Sequence, residues 1–279
     1  MNLRLLKELL LAFVREDVYF EDVTSRFTPS KSVRAEILLK EPGVVSGIEE
    51  LRVLFKLFNI RVLKALSDGS VVPNSKRVIL IQGNTRNILL VERTALNILS
   101  RMSGITTLTK KYLNKAKHAN PHIRVAATRK TTPGFRYFEK KAVEIAGGDT
   151  HRMGLSDMVL LKDNHLKLLK SIPTALKEAR KHTTFAHKIE VEVTTPEDSV
   201  LAARHGANII MLDNMNPKKI QETIHLLAKR KLRKNVLLEA SGGVTLSNIE
   251  DYAKTGVDII SVGQLTSSCT SLDVSLEIL

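Results

Sequence analysis

The pattern of apolar and polar positions changes character along the chain. Up to about residue 84, short alternating stretches and single helical stretches are separated by tight turns. The pattern predicts an amphipathic first helix at 1–14, strands at 34–40, 61–66 and 77–82, and a helix at 48–59. This mixture of elements is typical of a small α+β unit.

A longer helical stretch follows this unit. Apolar residues recur at helical spacing from Arg86 to Met102, and a second helical stretch runs from Thr106 to Lys117. Between them, Ser103-Gly104 interrupts the pattern. Because glycine is a poor helix former, we expect two helices with a break at this dipeptide.

From residue 122 onward, short apolar strands alternate with helices. The predicted strands are Ile123–Ala127, Asp157–Leu161, Lys188–Val193, Asn208–Leu212, Asn235–Glu239 and Val257–Val262. The predicted helices are Tyr137–Ala146, Leu166–Lys181, Pro196–His205, Pro217–Lys231 and Leu246–Lys254. Alternation of this kind indicates βαβ units and a parallel sheet, arranged either as a barrel or as a doubly wound sheet.

Polar or small residues stand at or near the end of each predicted strand, which favours the barrel. In α/β barrels the loops at the carboxyl ends of the strands build the active site, so these groups should converge on one mouth. The groups are Arg129-Lys130, Lys162 to His165, Glu192, Asp213-Asn214, Ser241-Gly242-Gly243 and Gly263. Six strands are fewer than the eight of a closed barrel, so either further strands are cryptic or the barrel is incomplete.

The predicted mouth is rich in cations. The basic and donor residues there are Arg129, Lys130, His151, Arg152, Lys162 and His165. Such groups suit carboxylates or phosphates, which accept charge-assisted hydrogen bonds. Two acids, Glu192 and Asp213, could hold Mg²⁺ through phosphates and waters, accept hydrogen bonds from ribose hydroxyls, or stabilise a cationic transition state.

Two glycine-bearing loops at the last strand ends, Ser241 to Thr245 and Gly263 to Ser267, have the form of phosphate-binding loops. With the cations and acids, they favour a site that binds a polyanion and handles a sugar phosphate. A barrel aldolase using Lys162 as a Schiff-base lysine is an alternative, since a buried lysine can be tuned for that role.

Composition narrows the class of protein further. The chain has 43 Lys and Arg against 29 Asp and Glu, a net charge of +14, which favours an acidic partner such as nucleic acid, membrane surface or a polyanionic metabolite. An RNA-binding protein is another alternative. Only 4% of residues are aromatic, so few side chains could stack on bases, which argues against it. The single cysteine, Cys269, excludes an intrachain disulfide and fits a reducing compartment. No apolar run is long enough to span a bilayer, so we expect a cytoplasmic location.

A set of motifs, in order along nearly the whole chain, resembles the quinolinate phosphoribosyltransferase family. The motifs are Glu92 to Asn97, Ser103 to Thr107, Thr128 to Gly134, Gly147-Gly148 with His151-Arg152, Lys162-Asp163-Asn164-His165, Glu190 to Val193, Leu212-Asp213-Asn214 and Ser241-Gly242-Gly243. The resemblance implies an α/β protein with an incomplete, open α/β barrel and an N-terminal α+β sandwich domain. The expected domains are residues 1–105, joined by the C-terminal segment 266–279, and the catalytic barrel at 106–265.

The resemblance also implies an activity, a metal and an assembly. The expected reaction joins quinolinate to the ribose of 5-phosphoribosyl-1-pyrophosphate with Mg²⁺ and releases pyrophosphate and CO₂. The expected partners are these small molecules, with neither nucleic acid nor a membrane. A homodimer is expected, because Arg93 matches a position that the family contributes to the neighbouring subunit's active site; assembly beyond the dimer is left open.

Individual roles follow the same resemblance. Arg93, Arg129, His151, Arg152 and Lys162 match positions that bind the two carboxylates of quinolinate. The phosphoribosyl pyrophosphate positions are Lys130, Glu192, Asp213, Ser241, Gly242 and Gly263. Lys162, Glu192 and Asp213 are the expected catalytic residues, and Glu192 and Asp213 are the candidate Mg²⁺ ligands, directly or through water.

Two positions depart from the usual family pattern. Ala126-Ala127 stands where many members have Leu-Asp, and Ser267 stands where many have a histidine near the last phosphate loop. The second departure removes a side-chain cation from the expected phosphate pocket. A paralogue of the molybdenum-transport type is a further alternative with a similar fold, but Lys162 to His165 favours the transferase.

Overall fold

The computed structural model describes residues 1–279 as ten α-helices and twelve β-strands. The helices are α1 (Leu3–Asp17), α2 (Ile48–Leu57), α3 (Thr85–Ala119), α4 (Arg136–Ile145), α5 (Asp163–Leu169), α6 (Ile172–His182), α7 (Pro196–Arg204), α8 (Pro217–Lys229), α9 (Ile249–Ala253) and α10 (Gln264–Ser267). The strands are β1 (Ser32–Leu39), β2 (Gly43–Val44), β3 (Arg61–Ala65), β4 (Val71–Val72), β5 (Lys76–Asn84), β6 (Arg124–Ala126), β7 (Val159–Leu161), β8 (Ile189–Val193), β9 (Ile209–Asp213), β10 (Leu237–Ser241), β11 (Ile259–Ser261) and β12 (Val274–Ile278). None of these helices is long and apolar enough to cross a membrane.

The first of two structural units contains Met1–Leu108, Pro133–Ala146 and Cys269–Leu279. Its main sheet has the order β12-β1-β5-β3 and is antiparallel throughout. The alternating burial along β1 explains the strand, because every second side chain from Ala35 to Leu39 enters the core. The C-terminal strand β12 pairs with β1, with Ala35 opposite Ile278. The last residues of the chain therefore complete the sheet that its early residues begin.

The second unit contains Thr109–Thr132 and Gly147–Ser268 and is built on a six-stranded parallel sheet. The strand order is β6-β11-β10-β9-β8-β7, so β6 and β7 lie at opposite ends and do not pair with each other. All six strands predicted from the apolar runs are present. The predicted fold class, an open α/β barrel with an N-terminal α+β domain, is confirmed.

Helix-start signals place the helices of this unit directly after its strands. Thr195 caps α7 by accepting the Asp198 N–H at 3.1 Å, and Asn216 caps α8 by accepting the Lys219 N–H at 2.9 Å. Proline follows each cap, where its fixed φ and missing N–H fit the first helical turn. Residues next to each turn therefore determine where the chain reverses after β8 and β9. The carboxyl ends of these two strands lie at the same edge of the sheet.

The break predicted at Ser103-Gly104 is wrong, because α3 is continuous from Thr85 to Ala119. Both residues have a packing role instead. The Ser103 hydroxyl accepts the Ser46 N–H at 3.0 Å, and a Cβ on Gly104 would collide with the Thr270 carbonyl oxygen. Glycine is present at this position because another segment of backbone lies against the helix, not because the helix ends.

The single helix predicted at Leu166–Lys181 is also wrong, because α5 and α6 occupy this stretch. Lys170 ends α5 in the left-handed conformation, with φ of 67°. Ser171 then caps α6 by accepting the Thr174 N–H, and Pro173 stands in its first turn. This Ser and Pro pair is the usual start signal of a new helix.

The two structural units and the domain limits expected from the sequence differ by three residues at each of two boundaries, 106–108 and 266–268, and in one longer segment. Residues 133–146, which include α4, belong to the first unit, whereas the sequence put them within a barrel domain at 106–265. Within the first unit, Phe138 of α4 lies in an aromatic cluster, with ring centroids 5.5 Å from Phe13 and 4.7 Å from Phe135. Aromatic contacts of this kind hold α4 in the first unit.

We predict that Gly104→Ala lowers the free energy of unfolding by about 1 to 3 kcal/mol, the usual effect of forcing extra volume into a packed interior. In a helix with no such contact, the same change would raise the free energy of unfolding by about 1 kcal/mol. Whether Gly104→Ala lowers or raises it therefore tests the contact with Thr270. Urea denaturation measures the difference. Gly154→Ala is the control, because its Cβ would meet nothing closer than Ser156 Oγ at 4.0 Å. A Gly104→Ala protein as stable as the wild type would contradict the prediction.

Candidate active site

A cavity of about 730 Å³ lies at the carboxyl ends of the parallel strands in the second unit. Ten of the residues expected in the site line it. They are Arg129, Lys130, His151, Arg152, Lys162, Glu192, Asp213, Ser241, Gly242 and Gly263. The strand-end residues thus meet in one place, as the parallel topology requires.

Two residues singled out in the sequence lie elsewhere. Arg93 is exposed on α3 in the first unit, whereas all the residues that line this cavity belong to the second unit. His165 is exposed on α5 and does not line the cavity. Its Nδ1 accepts the Lys162 N–H at 3.0 Å, so it shapes the start of α5.

The strongest charge contact in the cavity joins two neighbouring strands. Lys162 follows β7 and Glu192 lies near the end of β8, and the ammonium Nζ donates to the Glu192 Oε2 at 2.5 Å. The Glu192 side chain is 13% exposed and that of Lys162 is 45% exposed. The pair is therefore close enough to solvent for an arriving anion to compete with Glu192 for the ammonium.

Asp213 is oriented by the loop that follows β9. The Asn214 amide donates to the Asp213 Oδ2 at 2.7 Å, and the Asn214 N–H donates to the Ser241 carbonyl at 2.8 Å. Asn214 has a φ of 52°, and a Cβ on Gly242 would collide with its amide group. Gly242 itself has a φ of 90°, so both space and backbone conformation require glycine here.

The loop after β6 is tied to the loop after β11. The Thr266 hydroxyl donates to the Lys130 carbonyl at 2.8 Å, and the Lys130 N–H donates to the Thr128 hydroxyl at 3.1 Å. A Cβ on Gly263 would lie 3.2 Å from the Lys130 Cδ, which is tighter than an ordinary contact. Glycine at 263 thus allows the Lys130 side chain to lie across this loop.

The positive charge of Arg129 opposes that of Arg152. The pKa of Arg152 is lowered, first by burial and then by the positive charge of Arg129. Like charges held together without a compensating ligand are unfavourable, so this pair is suited to binding an anion between or beside the two guanidinium groups. Arg129 is exposed and Arg152 is half-buried, which leaves the pair accessible from the cavity.

Two fully buried acids lie in the barrel beside His151. Glu190 and Glu239 project from β8 and β10, and the His151 Nε2 lies 3.1 Å from the Glu239 Oε2 and 3.5 Å from the Glu190 Oε2. Burial and the neighbouring charge of Glu239 raise the pKa of Glu190 to about 8, against opposing effects of His151, Arg152 and Lys162. The barrel therefore contains a proton-holding cluster next to the cation-lined cavity.

The sequence analysis gave no individual role to Glu190, Glu239, Asn214 or Thr266; the first appeared only in a family motif, the second as the end of a predicted strand, and the last two within strand-end groups or loops. A signal for the two acids was present, because a parallel strand buried on both faces is usually an unbroken apolar run. Acids within Ile189–Val193 and Leu237–Ser241 break that rule. Thr266 gave no comparable signal, since its partner is a backbone carbonyl far away in the sequence.

The fold and the cavity together define a class of enzyme. Four basic side chains, the acids Glu192 and Asp213, and two glycine-bearing loops at the mouth of an open α/β barrel suit the transfer of a phosphorylated sugar to an anionic acceptor. Comparison with known proteins identifies the family within this class. Residues 17–103 match the family model described as quinolinate phosphoribosyl transferase, N-terminal domain, and residues 105–277 match that of the C-terminal domain.

Relatives and solved structures agree. A Methanothermobacter thermautotrophicus protein named probable nicotinate-nucleotide pyrophosphorylase [carboxylating] is 45% identical over 273 residues, which cover 97% of this chain and 98% of the relative. The human nicotinate-nucleotide pyrophosphorylase [carboxylating] is 34% identical, with 98% and 91% covered. The crystal structure of NadC from Streptococcus pyogenes superposes with a TM-score of 0.90 at 35% identity, covering 100% of this chain and 99% of that one.

The chain belongs to the quinolinate phosphoribosyltransferase family, and the resemblance identified from the sequence motifs is confirmed. It is an enzyme of the pentosyltransferase class. The family assignment sets aside the barrel aldolase and the RNA-binding protein as alternatives.

We predict that Glu190→Gln changes the dependence of stability on pH. Between the ordinary glutamate pKa of 4.5 and about 8, the unfolded chain loses the Glu190 proton while the folded protein keeps it. The free energy of unfolding of the wild type therefore falls as the pH rises through this window. The variant has no such proton. Between pH 4.5 and pH 8.5, we therefore expect the free energy of unfolding of Glu190→Gln to rise relative to that of the wild type by on the order of 2 to 4 kcal/mol.

Urea denaturation across this pH range measures the effect. Four titratable or charged groups lie near Glu190 and influence its pKa, and both proteins in the comparison keep all four. These groups are Glu239, His151, Arg152 and Lys162. Glu222→Gln, at an exposed position of α8, is the control and should follow the wild-type curve. Parallel curves for Glu190→Gln and the wild type would contradict the prediction, because they would show that folding does not raise the pKa of Glu190.

Proposed function

We propose that the chain transfers the phosphoribosyl group of 5-phosphoribosyl-1-pyrophosphate to quinolinate with decarboxylation. The products are nicotinate mononucleotide, pyrophosphate and CO₂, in de novo NAD biosynthesis. The observation that carries the proposal is the meeting, in one cavity, of a cation cluster with two acids and two glycine loops. The names of the relatives support it.

The cation cluster is the proposed binding site for the two carboxylates of quinolinate. Arg129 lies close enough to Arg152 to lower its pKa, and Lys162, at the end of β7, is the third member of the cluster. Guanidinium groups bind carboxylates through paired hydrogen bonds, and a lysine adds a point charge. His151 belongs to the same group, with both ring nitrogens already partnered inside the protein.

The glycine loops and the acids are the proposed site for phosphoribosyl pyrophosphate. Ser241, Gly242 and Gly263 offer backbone N–H groups and little side-chain bulk for the 5′-phosphate. Lys130 lies against Gly263, where it adds a positive charge. Glu192 and Asp213 lie on the ribose side, where carboxylates accept hydroxyl hydrogen bonds.

The proposed chemistry forms a bond from the pyridine nitrogen to C1 and a C–H bond on the ring, and it breaks the bonds to pyrophosphate and to the 2-carboxylate. The pyridine nitrogen of quinolinate attacks C1 of the ribose as the bond to pyrophosphate breaks, and positive charge develops on the sugar. Glu192 and Asp213 stabilise that charge, while Lys130 stabilises the departing pyrophosphate. The bond to the 2-carboxylate then breaks, CO₂ leaves, and the electron pair left on the ring carbon is stabilised by the adjacent cationic nitrogen. That carbon takes up a proton, and the ammonium of Lys162 is the proposed donor.

The acids also fit a magnesium ion held mainly by the substrate. Glu192 and Asp213 each use one carboxylate oxygen on a protein donor, Lys162 and Asn214 respectively. Neither belongs to a preformed cluster of three metal-ligating groups, since the one such cluster is His151 with Glu190 and Glu239. Mg²⁺ commonly binds through one or two carboxylates with substrate phosphates and waters, which matches this arrangement. When bound, the ion would neutralise charge on the pyrophosphate.

The proposal is tested with purified protein, quinolinate labelled in its 2-carboxylate, phosphoribosyl pyrophosphate and MgCl₂. We expect labelled CO₂ and nicotinate mononucleotide in equal amounts, and no product after chelation of Mg²⁺. Arg152→Ala should raise the KM for quinolinate by roughly 30-fold, the loss of about 2 kcal/mol expected for one charge-assisted contact, and should change nicotinate binding far less.

Arg204→Ala is the matched control for this variant, because Arg204 is exposed at the end of α7 and does not line the cavity. It should leave the KM unchanged. Absence of any product from the wild type would refute the proposed reaction, and equal losses for quinolinate and nicotinate in Arg152→Ala would refute the role of Arg152.

A homodimer is part of the proposal, with Arg93 completing the active site of the neighbouring subunit and with a cytoplasmic location. Coexpression of Arg93→Ala with Lys162→Ala tests it. In a two-fold dimer each mixed pair would contain one intact site, so about a quarter of the wild-type activity should return although each variant alone is inactive. If Arg93 acted within its own subunit, no mixture would recover activity.

A further inference from the structure

The buried acids beside His151 have no role in the proposed reaction, yet they are unfavourable to bury. Glu190 and Glu239 are both fully buried, and three of their four oxygens have no hydrogen-bond partner: Glu190 Oε1, Glu190 Oε2 and Glu239 Oε1. Leucine or methionine would fill the same interior space without that desolvation penalty. The fourth oxygen, Glu239 Oε2, makes the only hydrogen bond of the pair, so a function of these acids should depend on that bond.

That contact is the hydrogen bond between Glu239 Oε2 and His151 Nε2, at 3.1 Å. The other ring nitrogen fixes its direction. His151 Nδ1 lies 2.8 Å from the Arg152 backbone nitrogen, and a backbone N–H can only donate. Nδ1 therefore has no proton, the neutral ring has its proton on Nε2, and Nε2–H donates to Glu239.

The same geometry argues against a metal centre, although His151, Glu190 and Glu239 have ligand atoms within 4.8 Å of one another. A histidine bound to a metal through one nitrogen normally donates its other N–H to a second group. Here Nδ1 accepts, so a metal on Nε2 would leave the ring with no proton at all. The arrangement suits hydrogen bonding and not coordination.

His151 in turn holds the turn that carries Arg152. Its backbone has a φ of 52°, in the left-handed region that is uncommon for residues other than glycine. The His151 N–H donates to Asp149 Oδ1 at 2.7 Å, and the ring accepts the Arg152 N–H. The ring is thus hydrogen-bonded at Nε2 to β10 of the barrel and at Nδ1 to the backbone from which the Arg152 side chain leaves.

We propose that Glu239 is a positioning residue, which acts through the Nε2–H of His151 to fix the turn at Arg152 and so aims the Arg152 guanidinium at a carboxylate of the substrate. This inference rests on the proposed function, because it assumes that the cation cluster binds an aromatic dicarboxylate. It assigns His151 an indirect part in binding, since both its ring nitrogens serve the protein. Arg152 remains the group that touches the substrate.

The test uses benzene-1,2-dicarboxylate, which has two adjacent carboxylates like quinolinate but no ring nitrogen to react. Glu239→Leu, which keeps the volume and removes the acceptor, should weaken binding of this probe by roughly tenfold or more, because small misplacements of a binding group have large effects. Affinity for phosphoribosyl pyrophosphate should change much less, because none of its proposed contacts is held through His151 or Arg152, although Ser241 and Gly242 follow Glu239 at the end of β10. Glu239→Gln, whose amide oxygen can still accept from Nε2–H, should restore most of the affinity.

Glu190→Leu is the matched control, because Glu190 is equally buried in the same sheet but lies 3.5 Å from the ring without a hydrogen bond. It should bind the probe within about threefold of the wild type. Equal losses in both leucine variants would show that charge and not the hydrogen bond matters, and would overturn the proposal. A Glu239→Leu protein that binds the probe normally would overturn it as well.

One measurement needs no variant and can refute the proposal even if Glu239→Leu does not fold. Two-bond ¹H–¹⁵N correlation spectra of the wild type should show His151 with its proton on Nε2 and none on Nδ1, and a proton on Nδ1 would refute the proposal. Titration of the wild type with the probe separates this inference from the proposed function. If the wild type does not bind the dicarboxylate, the proposed function fails; if it binds and Glu239→Leu binds equally, the positioning role alone fails.

Discussion

Mutual repulsion among cations is the constraint on which the site depends. Arg129, Lys130, Arg152 and Lys162 line one cavity, and like charges at such separations oppose each other. Acids lie near them: Glu192 pairs with Lys162 at 2.5 Å, and the buried carboxyl groups of Glu190 and Glu239 lie beside His151. Glu192 keeps Lys162 in place before any substrate arrives, so an anionic substrate replaces this internal partner and does not have to organise the lysine.

Placing these acids is possible because the sheet is parallel. Parallel strands end at one edge, and inward-facing residues of neighbouring strands share a layer of the interior. Glu192 and Glu190, two residues apart on β8, therefore point to the same face at different depths. Glu192 reaches the cavity, where it contacts Lys162, while Glu190 stays below it with no exposed surface. One strand thus supplies both an acid at the cavity and an acid buried beneath it.

The sequence predicted those features that depend on local patterning. Apolar runs of the right length identified all six parallel strands, and polar residues at their ends identified most of the cavity, because strand order along the chain and strand direction fix which ends meet. The roles assigned to individual residues came from family resemblance, since residue type alone does not separate a quinolinate contact from a phosphate contact. The continuity of α3 escaped prediction because the reason for Gly104 lies in the backbone at Thr270, which no local pattern reveals. Arg93 is a different case, because its expected partner is a second copy of the chain.

Ser267 stands in the Gly263 to Ser267 loop where the family resemblance led us to expect a histidine, which would have supplied a side-chain cation. The Ser267 hydroxyl donates to the Gly263 carbonyl at 3.0 Å, so it stabilises the turn and contributes no charge. A positive charge is nevertheless present at this loop, since a Cβ on Gly263 would lie only 3.7 Å from the Lys130 Nζ. The Thr266 hydroxyl holds the Lys130 backbone in the same place, at 2.8 Å. In the proposed reaction, Lys130 therefore serves the 5′-phosphate as well as the departing pyrophosphate, and a side chain at position 263 would press against the lysine chain that serves both.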